Sequence, residues 1–412
     1  MKRGSQAVIR TLFGACAGLA LAVYVLQAVG QVTTITPQKG DDFRAVYAGS
    51  EDIAQGKDVA EQSCAACHGL LGQSTIPGIP HIAGQRAAYF LRELKAFKDG
   101  GRKNEAMARA VKFLSDQALV QVAAYYASLE PARPLPLRGA AAAAAKGSTL
   151  KTAAATAAGC AGCHGEHGVT STPGMPNLVG QDPKYLAAAI ASYKNGQRKD
   201  DTMKSMVASL SDSDIKSLAL YFALQRPARA KTPAKGDKEA GKKAAAECVG
   251  CHGEHGVSGN PATPSLAGQE AEYFVKALHE YKSGARSDPA MSGIAGGLDD
   301  AAMKNLAAYY ASLEPKRPAN VRAPLSPEQW VTRCDRCHGE NGNSKDPRIP
   351  ELAAQRFDYL EQALRAFQTG KRKSDIMSAM TALLTPADIG ALAAYYASQR
   401  ARPVVYVQVP SK

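Results

Sequence analysis

Along the 412 residues, β-branched side chains rarely alternate with polar ones, so a sheet-dominated fold is excluded. Alanine is abundant, which favours helices. No βαβ pattern is present, which removes the setting a thioredoxin-like cysteine pair needs. No nucleophile and no acid/base set recurs with the internal repeat described below, so nothing in the pattern marks a hydrolase or transferase. Uncharged runs long enough to cross a bilayer are absent apart from one at the N-terminus. With 45% hydrophobic and 21% charged residues the composition is that of an ordinary globular protein, and the length suffices for three or four small domains.

The net charge of +13 raises the question of nucleic acid. Its distribution excludes that reading. Four blocks, 51–130, 150–225, 239–314 and 325–400, carry nine, seven, six and ten basic side chains against nine, six, ten and nine acidic ones, close to neutral in sum. The excess lies between them and at the ends, as at Arg226, Arg229, Lys231, Lys235 and Lys238. Such segments read as solvated basic linkers, the alternative being contact with acidic partners or lipid headgroups.

The N-terminal run follows Lys2, Arg3 and Arg10 and is uncharged from Thr11 to Gly30. That length spans a bilayer as a helix, and the basic flank would hold the N-terminus inside, exporting everything after residue 31. A retained anchor over residues 11–30 is expected. Cleavage after the small residues at 28–30 is the alternative and would leave a soluble exported protein. Cys16 reads as a small apolar residue of this helix rather than a lipidation site, because the apolar run continues past it.

The other eight cysteines form four C-x-x-C pairs, and aligning these exposes an internal repeat. His68, His164, His252 and His338 lie four residues after the first cysteine; Pro80, Pro176, Pro264 and Pro350 lie sixteen after it. Gln85, Gln181, Gln269 and Gln355 follow at twenty-one, and Tyr89, Tyr185, Tyr273 and Tyr359 at twenty-five. Gly100, Gly196, Gly284 and Gly370 stand at thirty-six, with Arg102, Arg198, Arg286 and Arg372 at thirty-eight. Met107, Met203, Met291 and Met377 come at forty-three, and Tyr125, Tyr221, Tyr309 and Tyr395 at sixty-one. No insertion interrupts any copy over this span.

The reading is an all-α protein of four tandem modules, each of about 80 residues, at 51–132, 148–227, 238–316 and 325–403, after an N-terminal segment 1–50. Each module starts with a short helix running into the C-x-x-C; in the fourth, Ser326 and Pro327 offer the start. A Pro/Gly-rich segment follows. Then comes an amphipathic helix, with Tyr89, Phe90, Leu94 and Phe97 on one face in the first copy. A loop carries Gly, Arg and Met. A final helix opens at Ser115, Ser211 or Thr385, with Asp214 and Asp388 placed for capping boxes. The Ala-, Pro- and Lys-rich stretches between modules read as linkers.

Within each module the C-x-x-C-H decides the chemistry. A zinc site needs four ligands, and no second Cys/His cluster accompanies the three present. The pattern is the signature of covalent c-type haem attachment. Cys64/Cys67, Cys160/Cys163, Cys248/Cys251 and Cys334/Cys337 have the spacing to add to the two vinyl groups of one porphyrin edge. The adjacent His68, His164, His252 and His338 then lie beneath the iron. Four covalently attached haem c groups are expected, each supplying much of its module's apolar core.

The second histidines, His167 and His255, occur in only two copies, where the others have Leu71 and Asn341. A ligand required by a repeated site would not be missing from half of the copies. Three residues past the proximal ligand, the chain also cannot reach the opposite haem face. His167, His255, His81 and His279 therefore read as surface residues. The sixth ligand must recur and be able to bind iron, which selects Met107, Met203, Met291 and Met377. Met206 and Met380 fail this test, being Ala110 and Ile294 in the other copies. His/Met ligation closes the iron to exogenous ligands and raises its potential.

The C-x-x-C-H, the proline twelve residues beyond the histidine, the methionine and the tyrosine-containing last helix resemble class I cytochromes c. The finer pattern, CHGxxG, then P, LAGQ, Y, G-x-R, M, LSD and AAYYAS, is similar to the cytochrome c4 group over nearly all of residues 51–400. That group is periplasmic, usually dihaem with two modules, and passes electrons to terminal oxidases. The resemblance implies that Pro80, Pro176, Pro264 and Pro350 offer carbonyls to the histidine Nδ1–H groups. It also implies that Arg102, Arg198, Arg286 and Arg372 face haem propionates, the alternative being solvated loop arginines. Four modules and an anchor depart from the group.

The function expected is periplasmic electron transfer by a tetrahaem carrier on the inner membrane, held by its N-terminal helix. It would link a quinol-oxidising complex to a terminal oxidase or other reductase, with no enzymatic activity of its own and no nucleic-acid partner. The rival is an electron-transfer subunit of a membrane-bound dehydrogenase complex. A permanent interface of that kind would need an extended apolar patch, which the polar linkers do not show. A peroxidase would need an open iron, against which four recurring methionines argue.

Overall fold

The computed structural model describes residues 31–33 and 41–406. The expected anchor over residues 11–30, with Cys16, lies outside the described residues. Among those described, no single helix is long and apolar enough to cross a membrane.

The architecture is helical, with four related helix sets. The first has Ser50–Ser63 leading into Ala65–His68, then Ala87–Lys98, Glu105–Val111 and Asp116–Ser128. The last four elements return as Ala161–His164, Pro183–Lys194, Asp201–Val207 and Asp212–Leu224. In the third copy they are Val249–His252, Ala271–Lys282, Pro289–Gly296 and Asp300–Ser312. In the fourth a single helix, Pro327–His338, carries the whole motif and precedes Phe357–Gln368, Asp375–Thr381 and Pro386–Ser398.

Two of the expected capping signals are seen directly. Ser115 accepts from the Ala118 amide at 3.0 Å, and Ser211 with Asp214 forms a reciprocal capping box. One feature departs from an all-helical chain: Gln31–Thr33 pairs in parallel with Val404–Tyr406, so that the segment before the first module lies beside the one after the last. The linkers are also more ordered than their composition suggests. Gly139–Ala145 is helical, and the backbone amides of Ala230 and Lys231 bond the carbonyls of Gly268 and Thr170, strapping the third module to the second.

Each core forms where the final helix meets the rest of its module. Leu91, Leu119, Val122 and Tyr126 are fully buried in the first, and Met303, Leu306 and Tyr310 in the third. The crossing of the first and last helices is set by Gly56. A Cβ there would stand 2.0 Å from the Gln121 carbonyl oxygen, and one at Gly241 would stand 2.0 Å from that of Asn305. A second recurring contact lies beside the motif. Gly72, Gly168, Gly256 and Gly342 all have positive φ, and a Cβ would meet the rings of Tyr126, Phe222, Tyr310 and Tyr396 at 2.7 to 2.9 Å.

The described residues fall into two compact units, and these do not follow chain order. The first module packs with the fourth, and the second with the third.

Candidate haem sites

The structure places each C-x-x-C-H on one helical turn, and the two cysteines of a motif differ in burial. Cys64, Cys160, Cys248 and Cys334 are half-buried against their modules. Cys67, Cys163, Cys251 and Cys337 are exposed. The module's own side chains cover only the first of each pair. In the first module Cys64 packs against the core cluster that includes Ala60 and Tyr126. The exposure leaves the attachment chemistry of Cys67, Cys163, Cys251 and Cys337 intact, because a thiol must be accessible to add to a vinyl group.

All eight thiols are free of disulfides. Burial pushes the Cys64 and Cys334 thiols up to about 11, so these behave as apolar groups rather than as nucleophilic thiolates.

The histidine that follows is buried in every copy. Its Nδ1 lies 3.1 Å from Pro80 O at His68, 3.0 Å from Pro176 O at His164, 2.8 Å from Pro264 O at His252 and 3.1 Å from Pro350 O at His338. A carbonyl can only accept, so Nδ1 carries the proton and Nε2 keeps its lone pair. Burial lowers all four histidine pKa values, outweighing the opposing proline hydrogen bond, and holds the rings neutral. A neutral imidazole with its tautomer fixed is the form that binds iron.

Met107, Met203, Met291 and Met377 are half-buried, each third in its short helix. The residue forty after the first cysteine caps that helix. Asn104, Asp200, Asp288 and Ser374 accept from the methionine's own amide at 2.9, 3.0, 3.0 and 3.3 Å. This cap recurs in the sequence and could have been found there. Met206 is exposed, and Met380 is half-buried.

His167 and His255 are exposed, in left-handed backbone with φ of 57° and 60°. The Nδ1 of His167 lies 3.2 Å from the Tyr221 hydroxyl, where Asn341 Oδ1 accepts from Tyr395 at 2.6 Å. His279 is exposed beside Asp300. His81 departs from the surface reading. It is partly buried between the first and fourth modules, its Nδ1 has no partner, and burial lowers its pKa to about 4.

The recurring glutamines join the modules. Gln355 donates to His81 O and accepts from His81 N, both at 2.8 Å; Gln85 donates to Glu351 O at 3.2 Å and accepts from Glu351 N at 2.8 Å. In the other unit Gln181 makes the same pair of bonds with Ser265, and Gln269 with Asn177. Each interface is thus pseudo-twofold, the same patch used on both sides. The recurring arginines are not solvated. Arg102 reaches Tyr359 and Arg372 reaches Tyr89, with Glu93 accepting from both guanidinium groups. Arg286 lies between Tyr273 and Tyr185, is 5% exposed and has a buried Nε without a partner. The sequence showed that these glutamines and arginines recur, but not that they meet across module boundaries.

The donor set fits haem c. Two free thiols and a neutral, oriented imidazole share one turn, a capped thioether recurs in each module, and the unpartnered Arg286 Nε suits an anionic group. Among the described residues no cluster of three or more His, Cys, Asp or Glu side chains is arranged to hold a bare metal ion. These are the features of class I c-type cytochrome domains.

Comparison with known proteins agrees. The family model described as "Cytochrome c" matches residues 53–130 and 238–314. The model "Cytochrome C oxidase, cbb3-type, subunit III" matches residues 148–222 and 327–395. Cytochrome c4 of Thiocapsa roseopersicina is 36% identical over 184 residues, 40% of this chain and 95% of that protein. A protein of Thiomonas intermedia named thiosulfate dehydrogenase electron acceptor is 34% identical over 39% of this chain and 81% of its own length. The solved cytochrome c4 of Acidithiobacillus ferrooxidans is 30% identical, covers 38% of this chain and 99% of that chain, and gives a TM-score of 0.36. The chain belongs to the cytochrome c4-like c-type cytochromes. It is a multihaem electron-transfer protein, and its four motifs indicate four covalently bound haem c groups.

Proposed function

We propose that residues 51–132, 148–227, 238–316 and 325–403 each form one haem-binding module of a tetrahaem carrier, with His68/Met107, His164/Met203, His252/Met291 and His338/Met377 as axial ligands. The thiol pairs Cys64/Cys67, Cys160/Cys163, Cys248/Cys251 and Cys334/Cys337 would hold the four groups covalently. The haem supplies one-electron Fe(II)/Fe(III) chemistry when bound. The chain contributes oriented imidazoles, thioethers and exclusion of water. The observation that carries the reading is the hydrogen bond from each motif histidine to the carbonyl of its recurring proline. A carrier on the periplasmic side of the inner membrane, anchored by residues 11–30, would take electrons from a quinol-oxidising complex and deliver them to a terminal oxidase or other reductase.

A second reading has its own support: a relative is named as the electron acceptor of thiosulfate dehydrogenase. On that reading the chain accepts electrons from a dehydrogenase within a complex, and the chemistry on the substrate lies in another subunit. Affinity purification from detergent-solubilised membranes, with identification of the co-purifying subunits, separates the two. A quinol-oxidising complex or an oxidase supports the first, and a dehydrogenase supports the second. Recovery in the soluble fraction with a mature N-terminus near Gln31 would overturn the anchor.

A further inference from the structure

The peptide group that orients each motif histidine is also the one gripped by the neighbouring module. Pro80 O receives the His68 Nδ1–H at 3.1 Å, and the N–H of the same peptide, belonging to His81, donates to Gln355 Oε1 at 2.8 Å. The relation recurs in all four copies. The Pro350–Glu351 peptide joins His338 to Gln85, Pro176–Asn177 joins His164 to Gln269, and Pro264–Ser265 joins His252 to Gln181. The glutamine oxygens are held in place: those of Gln85, Gln269 and Gln355 also accept from the next residue's amide, at 2.8 to 2.9 Å.

We infer that each glutamine is a positioning residue that tunes the iron of the paired module through this shared peptide. An amide whose N–H donates has a more electron-rich carbonyl, because hydrogen bonds in a chain polarise one another. That carbonyl is a stronger acceptor for the histidine Nδ1–H and makes the imidazole more basic toward the metal. A more basic imidazole stabilises Fe(III). Each glutamine therefore lowers the reduction potential of the haem in the other module of its pair. Gln355 acts on the first haem, Gln85 on the fourth, Gln181 on the third and Gln269 on the second. This rests on His68, His164, His252 and His338 being axial ligands.

The test is spectroelectrochemical titration of the full-length, haem-loaded protein at neutral pH, with haems assigned by NMR. In Gln355→Leu the first haem should rise in potential, changing its oxidised-to-reduced ratio at fixed poise by roughly twofold or more, as expected for one hydrogen bond weakened by about 10–30%. The His68 Nδ1–H resonance should move upfield, while the fourth haem, in the module that carries the substitution, keeps its potential. Gln355→Glu retains an acceptor oxygen in either protonation state, so its first haem should stay at or below the unaltered potential.

A merely structural role predicts otherwise. Loosening the interface admits water, which lowers the potential, and it affects both haems of the pair. A fall, an equal shift of both haems, or no change in Gln355→Leu overturns the proposal. If that variant does not fold, Gln181→Leu asks the same of the third haem, and the same outcomes decide. A separate readout guards the underlying ligand assignment. Loss of the low-spin spectrum of one haem in His68→Ala upholds His68 as a ligand, and its persistence overturns the assignment together with the proposal.

Discussion

Arg372 Nη2 donates to the hydroxyl of Tyr89 at 2.8 Å across the interface of the first and fourth modules, and the same nitrogen donates to Glu93 Oε2, also at 2.8 Å. Arg102 donates to that carboxylate oxygen too, at 2.6 Å. Two guanidinium groups thus share one carboxylate in a largely buried site. In Glu93→Ala both arginines lose their counter-ion while remaining buried. Breaking a buried pair by removing one partner costs about 3 kcal/mol. The unfolding transition of the unit containing the first and fourth modules should fall in denaturant titration, while the second–third unit keeps its midpoint.

Met291 should behave differently from Met206. On the proposed His/Met ligation of four equivalent sites, Met291→Ala should abolish about one quarter of the near-infrared sulfur-to-iron band and open one iron to carbon monoxide. Met206→Ala and His167→Ala should leave band and spin state intact, because both side chains are exposed. Absorption spectroscopy with and without carbon monoxide reads all three.

Gly56 admits no side chain. A Cβ there meets a backbone carbonyl that cannot rotate aside. Gly56→Ala should therefore destabilise the first module by about 3 kcal/mol, the upper end of overpacking costs. Gly241→Ala should do the same in the third. Chemical denaturation followed by circular dichroism measures both.

Ala354 stands where the other three copies have Gly84, Gly180 and Gly268, and it keeps their left-handed backbone with φ of 53°. An L-residue there carries a steric penalty that glycine avoids. Ala354→Gly should stabilise the fourth module by about 1 kcal/mol, visible as a higher denaturation midpoint.

The interface should also weaken in acid through His81. Its folded pKa, lowered to about 4, lies below the unfolded value near 6.5. Between those values the unfolded state binds more protons, so the contribution is fully present above pH 6.5 and is lost as pH falls toward 4. His81→Asn, which installs the residue found at the equivalent place in the second module, should flatten this part of the stability profile. Denaturation midpoints between pH 4 and 7 show whether it does.

The sequence by itself determined the module and its chemistry. Haem attachment needs two thiols and a histidine on one turn, and a helical turn is a local structure that a five-residue motif specifies completely. The same holds for the caps at Ser115 and Ser211 and for the amphipathic face of Tyr89, Phe90, Leu94 and Phe97. Recurrence at fixed spacing is what distinguishes Met291 from Met206 and His252 from His255 as the proposed ligands, because a site built four times must keep its ligands four times. The motif does not say which of its two thiols the module covers. That Cys64 is half-buried and Cys67 exposed depends on how the turn packs against the module's core. Partnership between modules was likewise decided only by the tertiary structure. The glutamines recur at one spacing in all four modules, and that spacing does not say that the first pairs with the fourth rather than with its neighbour in the chain. That choice depends on side chains more than 250 residues apart, such as Arg102 with Tyr359 and Arg372 with Tyr89. His81 differs from its surface reading for the same reason. Its burial comes from the opposite module, and a local pattern records only what its own module covers.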